Sequence, residues 1–263
     1  MIKFCPLFSG SSGNALYLKY NDTSILIDAG LSKKRITQAI SDIGEDASKL
    51  NAILITHEHI DHIKGIGYLE RGYDIPIYAN SLTWGTMPSF VGKIREDNKK
   101  TFENGKKFTI NDIEILPFGI PHDAADPVGY SFYLDSRKVT SVTDIGHLTD
   151  TILENIKGSD LLLMESNHDL DMLINGSYPG PLKKRIKGDF GHLCNKDCGD
   201  LIARYIEFGL KTIVLGHLSA ENNTPQLAYD TIKQCIENSG YEIGRDIELE
   251  VAKRDGCNRV FEL

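Results

Sequence analysis

One short run constrains this chain more than any other. Thr56-His57-Glu58-His59-Ile60-Asp61-His62 stands directly behind the apolar, β-branched stretch Ala52–Ile55. The stretch reads as a buried strand, so the run is a loop leaving a strand end. Histidines packed this closely would repel one another if protonated, and without a metal they have little reason to cluster. Neutral imidazole is a good ligand for zinc, iron and related ions, and a carboxylate adds a harder, negative donor. Such a loop can turn His57 and His59 toward one cation and Asp61 and His62 toward a second. Two coordination shells need more ligands, so other parts of the chain must supply them.

The remaining histidines are His122, His147, His168, His192 and His217. His122 follows the strand pattern Ile113–Phe118, Asp144 follows Lys138–Val142, and His217 follows Thr212–Leu215. Open α/β layers place their sites beyond strand ends, which makes these three coherent partners for the histidine loop. His147, three residues past Asp144, reads as peripheral. Ala15–Tyr20 and Ser24–Asp28 flank Asn21-Asp22 as a hairpin, and Gly129–Leu134, Leu161–Met164 and Ile247–Val251 read as further strands. Helical spacing marks Lys33–Ile43 behind the N-cap Ser32, then Ile63–Arg71, Thr149–Ile156, Asn195–Phe208 and Gln226–Ile236. Asn80–Lys107, with lysines among acids, reads as solvated surface. Helices interleave with strands in both halves, and no linker or repeat divides them. The expectation is one α/β domain (α+β by some schemes) over residues 1–263, with sheets between helices.

Composition narrows the function. The formal net charge is −8. That argues against indiscriminate coating of nucleic acid, but not against a local basic patch or a site whose positive charge comes from metal. Lys183, Lys184, Arg185 and Lys187 form such a patch shortly before His192, and can position a strand without reading its bases. Five cysteines, an odd number thinly spread, argue against a disulfide framework and for a reducing compartment. The apolar stretch near the start is too short for a signal peptide, and no run approaches the roughly 18 residues of a membrane span. The expected place is the cytoplasm, with no membrane partner.

These motifs together resemble the metallo-β-lactamase-fold hydrolases, a family with an αββα four-layer sandwich and a dinuclear metal site at one edge. The resemblance implies that Asp28, in Leu26-Ile27-Asp28-Ala29-Gly30, supports the metal loop rather than binding metal. It implies His57, His59 and His122 as ligands of one metal, Asp61, His62 and His217 as ligands of the second, and Asp144 as the bridge. Phe8-Ser9-Gly10-Ser11-Ser12-Gly13-Asn14-Ala15, Glu165-Ser166-Asn167-His168-Asp169, Gly191-His192-Leu193 and Gly216-His217-Leu218-Ser219-Ala220-Glu221-Asn222-Asn223 are similar to the WalJ/YycJ (VicX) branch. That branch implies a metal-dependent nuclease, an exonuclease on DNA, engaging its substrate locally.

The chemistry can be written from the residues. Two divalent cations, zinc, manganese or iron, hold a water and lower its pKa toward neutrality, giving a bridging hydroxide. Asp61 orients that nucleophile. The leaving group needs a proton donor, for which His192 and His168 are candidates. Ser219 and Asn222 are candidate substrate contacts. Ser9–Asn14 reads either as an anion nest, with Ser11 and Asn14 on a phosphate, or as a tight turn. Two further functional readings stand beside the nuclease: a small-molecule hydrolase of a thioester, lactone or cyclic phosphodiester, and a non-catalytic metal-binding regulator.

Overall fold

Apolar runs bounded by turn residues become strands along most of the chain in the computed structural model, which describes residues 1–257 and 259–263. In chain order these are β1 (Ile2–Phe8), β2 (Ala15–Tyr20), β3 (Thr23–Ile27), α1 (Lys33–Asp42), β4 (Ala52–Leu54), α2 (Ile60–Ile63), α3 (Ile66–Tyr73), β5 (Ile77–Asn80), α4 (Ser81–Gly85), β6 (Lys99–Phe102), β7 (Phe108–Ile110) and β8 (Ile113–Gly119). There follow β9 (Val128–Leu134), β10 (Arg137–Val142), α5 (Asp150–Ile156), β11 (Leu161–Glu165), α6 (Leu170–Asn175), α7 (Gly180–Ile186), α8 (Asn195–Tyr205), β12 (Thr212–Gly216), α9 (Pro225–Asn238), β13 (Glu248–Val251) and β14 (Phe261–Glu262). The chain divides into two units. One holds Met1–Pro117, Ala124–Val128 and Lys253–Leu263; the other holds Phe118–Asp123 and Gly129–Ala252.

The first unit is built on the strand order β14-β1-β2-β3-β4-β5-β6. Strands β1, β2 and β3 are antiparallel neighbours, and β3 through β6 are parallel. Helix α1 buries Ile36, Ala39 and Ile40, and Ser32 Oγ accepts from Arg35 N at its start. Strand β1 is an element that periodicity alone did not reveal. It pairs with β2 on one side and β14 on the other, and six of its seven residues are buried. A strand covered on both faces reads as an unbroken apolar run rather than an alternation. The β1–β14 pairing brings the two ends of the chain together, and Cys5 and Cys257 are bridged across 6.5 Å of Cα separation. One bridge beside three free cysteines is no framework. Cys194, Cys198 and Cys235 are free and buried.

Two other expectations change. The helix read over Ile63–Arg71 is two helices broken at Lys64-Gly65. A Cβ on Gly65 would stand 2.1 Å from the Leu31 carbonyl oxygen, so the close approach of two backbones sets the break. The segment Asn80–Lys107 is only partly solvated. It buries Thr83, Val91, Ile94, Asn98 and Phe102. Arg95 Nε and Asn98 Nδ2 both donate to Oε1 of the buried Glu70, each at 2.8 Å, so charge in the sequence here reflects an internal polar anchor as well as surface.

In the second unit β9 to β13 run in the order β13-β12-β11-β10-β9. β9 and β10 are antiparallel, and β10 through β13 are parallel. The core gathers Leu162, Met164, Ile213 and Leu215 from the strands with Leu201 and Ile202 from α8 and Ile232 from α9. No helix among the described residues is long and apolar enough to cross a membrane.

Candidate metal centre

In the first unit, the ligand loop leaves the carboxyl end of β4 and ends at α2, whose N-cap is His59. Its anchor is Asp28, which leaves the neighbouring parallel strand β3 in a left-handed conformation, φ +60°. Aspartate tolerates that region better than most residues, and an outlier held by its surroundings is common at working sites. Asp28 Oδ1 accepts from Thr56 N at 2.9 Å, and Oδ2 accepts from Thr56 Oγ1 at 2.8 Å and from His62 Nδ1 at 2.7 Å.

This arrangement assigns ring protons. An ionised carboxylate only accepts, so His62 carries a proton on Nδ1 and the single hydroxyl hydrogen of Thr56 goes to Asp28. Thr56 Oγ1 is then the acceptor for His57 Nδ1 at 2.9 Å. Both rings therefore present Nε2 as the lone-pair nitrogen, the state a metal ligand needs. The His57 ring lies 4.0 Å from that of His62 and 4.6 Å from that of His59, centroid to centroid. Asn14 Nδ2 reaches His62 Nε2 at 3.0 Å and Asp61 Oδ2 at 3.3 Å. A Cβ on Gly30 would fall 1.6 Å from the Asp61 carbonyl oxygen, which is why the chain beside this loop needs glycine.

In the second unit, three parallel strands deliver a residue each at their carboxyl ends: Asp144 after β10, Glu165 closing β11 and His217 after β12. Asp144 and His217 are left-handed, φ +60° and +55°. Glu165 is fully buried and takes four hydrogen bonds. Oε1 accepts from His192 Nδ1 and His217 Nδ1, each at 2.8 Å, and Oε2 accepts from Ile145 N at 2.8 Å and Leu193 N at 3.2 Å. Burial alone would raise its pKa; the two histidines outweigh that and hold the carboxyl well below the usual range. His192 and His217 are thereby fixed with Nδ1 protonated. His122 Nδ1 donates to the Gly191 carbonyl at 3.2 Å, and its Nε2 lies 3.7 Å from Asp144 Oδ1. Burial lowers the His122 pKa, with Asp144 opposing, which favours the neutral ring.

Asp144, Glu165, His192 and His217 each bring one ligand atom within 4.8 Å of the others. Buried carboxylates beside imidazoles are a donor set that suits a divalent cation, because the cation offsets charge that is otherwise costly to bury. Among the described residues, the His and carboxylate groups have the capacity for one or two metal ions.

Other residues singled out from the sequence have different settings. His168 is buried, it is absent from the four-residue group, and desolvation pushes its pKa down to about 4. Desolvation thus favours its neutral ring. The Ser9–Asn14 segment is closed by turn hydrogen bonds. Gly10 N bonds Asn14 Oδ1, Gly13 N bonds Gly10 O, and Asn14 N bonds Asp61 O. Ser11 is exposed and accepts from Arg254 at 3.5 Å. Ser219 Oγ accepts from Asn222 N at 3.1 Å, so this pair closes its own loop. His147 Nδ1 donates to the Asp189 carbonyl. Glu165 stands in one of the motifs above but receives no role in the site from the sequence alone. Its signal was an acid ending the apolar strand Leu161–Met164.

Comparison with known proteins agrees with this geometry. Residues 23–210 match the family described as the beta-lactamase superfamily domain. The chain is 42% identical over 248 residues to exodeoxyribonuclease YycJ of Bacillus anthracis, covering 94% of each. It is 40% identical to exodeoxyribonuclease WalJ of Streptococcus pneumoniae over 263 residues, 99% of this chain and 98% of the relative. The chain belongs to the metallo-β-lactamase-fold hydrolases, in the branch of WalJ and YycJ. Solved structures share the αββα fold of this hydrolase family. The metallo-β-lactamase fold protein YhfI from Bacillus subtilis superimposes with a TM-score of 0.72 at 18% identity, covering 99% of this chain and 98% of that one. Zn(2+)-bound PqqB from Methylobacterium extorquens gives 0.73 at 16% identity over the whole of both chains. The protein is thus a metal-dependent hydrolase by family and by donor set.

Proposed function

We propose that this hydrolase is a two-metal phosphodiesterase that removes nucleotides from DNA ends in the cytoplasm, residues 1–263 working as one catalytic domain. In this reading His57, His59 and His122 would hold one divalent cation and Asp61, His62 and His217 the other, with Asp144 available to both. Zinc, manganese and iron all suit these ligands. When bound, the cations lower the pKa of a held water from about 16 toward about 7 and neutralise charge on the phosphate oxygens.

The observation that carries the reading is the Glu165–His192 pair beside Asp144. Displacing an alkoxide from a phosphodiester requires a proton on the departing oxygen. His192 has Nδ1 committed to Glu165, so its Nε2 is the nitrogen that gives the proton up, and the buried carboxylate stabilises the imidazolium that precedes transfer. Asp61 accepts a hydrogen bond from the attacking oxygen and orients it. Asp28 and Thr56 keep His57 and His62 in the ligand tautomer throughout. Full-length similarity to two exodeoxyribonucleases supports DNA as the substrate.

The test is cleavage of labelled single-stranded DNA and RNA by protein loaded in turn with zinc, manganese and iron. Release of mononucleotides from DNA is expected. No cleavage under any loading would sink the reading, and endonucleolytic fragments alone would replace the exonuclease part of it.

A further inference from the structure

We propose that the end of helix α7 and the turn after it form a track for the backbone of a single-stranded nucleic acid, with Lys184 and Lys187 on phosphates and Phe190 under a base. The inference rests on the nuclease reading and says where the strand lies on the second unit.

The four basic residues of this stretch divide into two kinds. Lys183 Nζ donates to the carbonyls of Ile174 at 2.8 Å and Gly176 at 2.7 Å, tying α7 to the end of α6. Arg185 Nε donates to Asp123 Oδ2 at 2.6 Å. These two hold the helix in place. Lys184 and Lys187 are exposed and carry no ion pair among the described residues. They stand three apart at the helix end, on one side of it. Between them opens a hollow of about 500 Å³ lined by Ile174, Lys183, Lys184, Lys187 and Gly188. Ile174 is 52% exposed and Phe190 60% exposed. From Leu170 to His192 there are four basic residues against two acidic ones, Asp171 and Asp189, in a chain whose net charge is −8. Free cations and an exposed aromatic ring on one short stretch of chain are the combination that binds single strands: charge follows the backbone and the ring stacks a base of any kind.

Rigid coupling to the catalytic histidine makes this surface more than a charged face. Gly188 N bonds Arg185 O at 3.1 Å, Gly191 N bonds Gly188 O at 2.8 Å, and His192 N bonds Ile186 O at 2.8 Å. A Cβ on Gly191 would lie 2.2 Å from the Ile186 carbonyl oxygen, so the turn closes this tightly only with glycine. Phe190 is two residues from His192, and the helix end is joined to His192 by backbone hydrogen bonds. In this proposal a strand with its scissile phosphate at His192 runs along the stretch that carries Phe190 and the two lysines.

The experiment compares wild type, K184E/K187E and F190A by fluorescence anisotropy with a labelled single-stranded DNA and with an RNA of the same sequence, across a salt series. Hydrolysis of bis(p-nitrophenyl) phosphate, too small to reach the track, is followed in parallel. The double variant is expected to bind both strands at least tenfold more weakly, with the slope of log K against log salt reduced by about 1.4 for two lost phosphate contacts. F190A is expected to weaken binding about fivefold to a hundredfold with the salt slope unchanged. Small-ester turnover should stay at the wild-type rate in both. Unchanged binding in K184E/K187E overturns the track. Because anisotropy needs no turnover, this result is separate from failure of the nuclease reading, which would show as wild-type protein that cleaves neither strand.

Discussion

In the first unit four ligand candidates come from one seven-residue run, Thr56–His62, whereas in the second five come from five separate segments: His122, Asp144, Glu165, His192 and His217. Each set is organised by one buried carboxylate. Asp28 orients His62 directly and His57 through Thr56; Glu165 orients His192 and His217 directly and also takes Ile145 N and Leu193 N. In the first case chain continuity already confines the ligands, and the carboxylate sets their tautomers. In the second nothing local confines them, so the carboxylate both sets tautomers and joins three stretches of chain. A side chain of the same chemistry thus carries more of the structure where the ligands are scattered.

Glu165→Gln is expected to do the most damage. The amide presents a donor where two backbone N–H groups and two ring N–H groups need acceptors, leaving at least one buried donor unsatisfied. A loss of about 2–3 kcal/mol is expected, read as a drop in Tm of roughly 4–12 °C. Turnover of DNA should fall about 10³-fold, and metal affinity 10–100-fold by dialysis and metal analysis. His192→Ala comes next. It should slow DNA hydrolysis about 10²-fold yet barely change turnover of bis(p-nitrophenyl) phosphate, whose leaving group needs no proton. Equal losses on both substrates would move His192 from proton donation to ligation. Asp28→Asn should cost about tenfold in metal affinity with a smaller drop in Tm than Glu165→Gln. If it costs as much in both, the contrast between the two ligand sets fails.

The smallest effect belongs to a carboxylate away from both sets. Glu70 is buried against Arg95 and Asn98, which outweigh desolvation and lower its pKa. A depressed folded-state pKa means stability that is present above the unfolded value of about 4.3 and lost as pH falls through the folded one. Glu70→Gln should therefore reduce stability by about 1 kcal/mol at pH 7, and the gap from wild type should narrow in thermal melts below pH 4. A gap that widens on acidification would contradict the sign.

Much of this was legible in residue order. The histidine loop, the strand-end positions of Asp28, His122, Asp144 and His217, and most helices follow from short-range patterns. Illegible were features made by pairing at a distance. Strand β1 hid as a plain apolar run because both its faces are covered. Gly65 broke a helix because Leu31 comes close from another segment. Glu165 looked like the end of a strand until two histidines 27 and 52 residues further on met it.

Sequence by itself determined which residue types could bind a cation and that four of them lie in one loop, since seven neighbouring residues cannot move far apart. Tertiary structure decided which nitrogen of each ring faces outward. Parallel registry does this in the second unit: Glu165 lies opposite Gly216, so His217, the next residue, falls within reach of its carboxylate. A tautomer depends on the acceptor a ring meets, and here every acceptor comes from a different strand or loop than the histidine it serves, or through the Thr56 hydroxyl that such an acceptor holds.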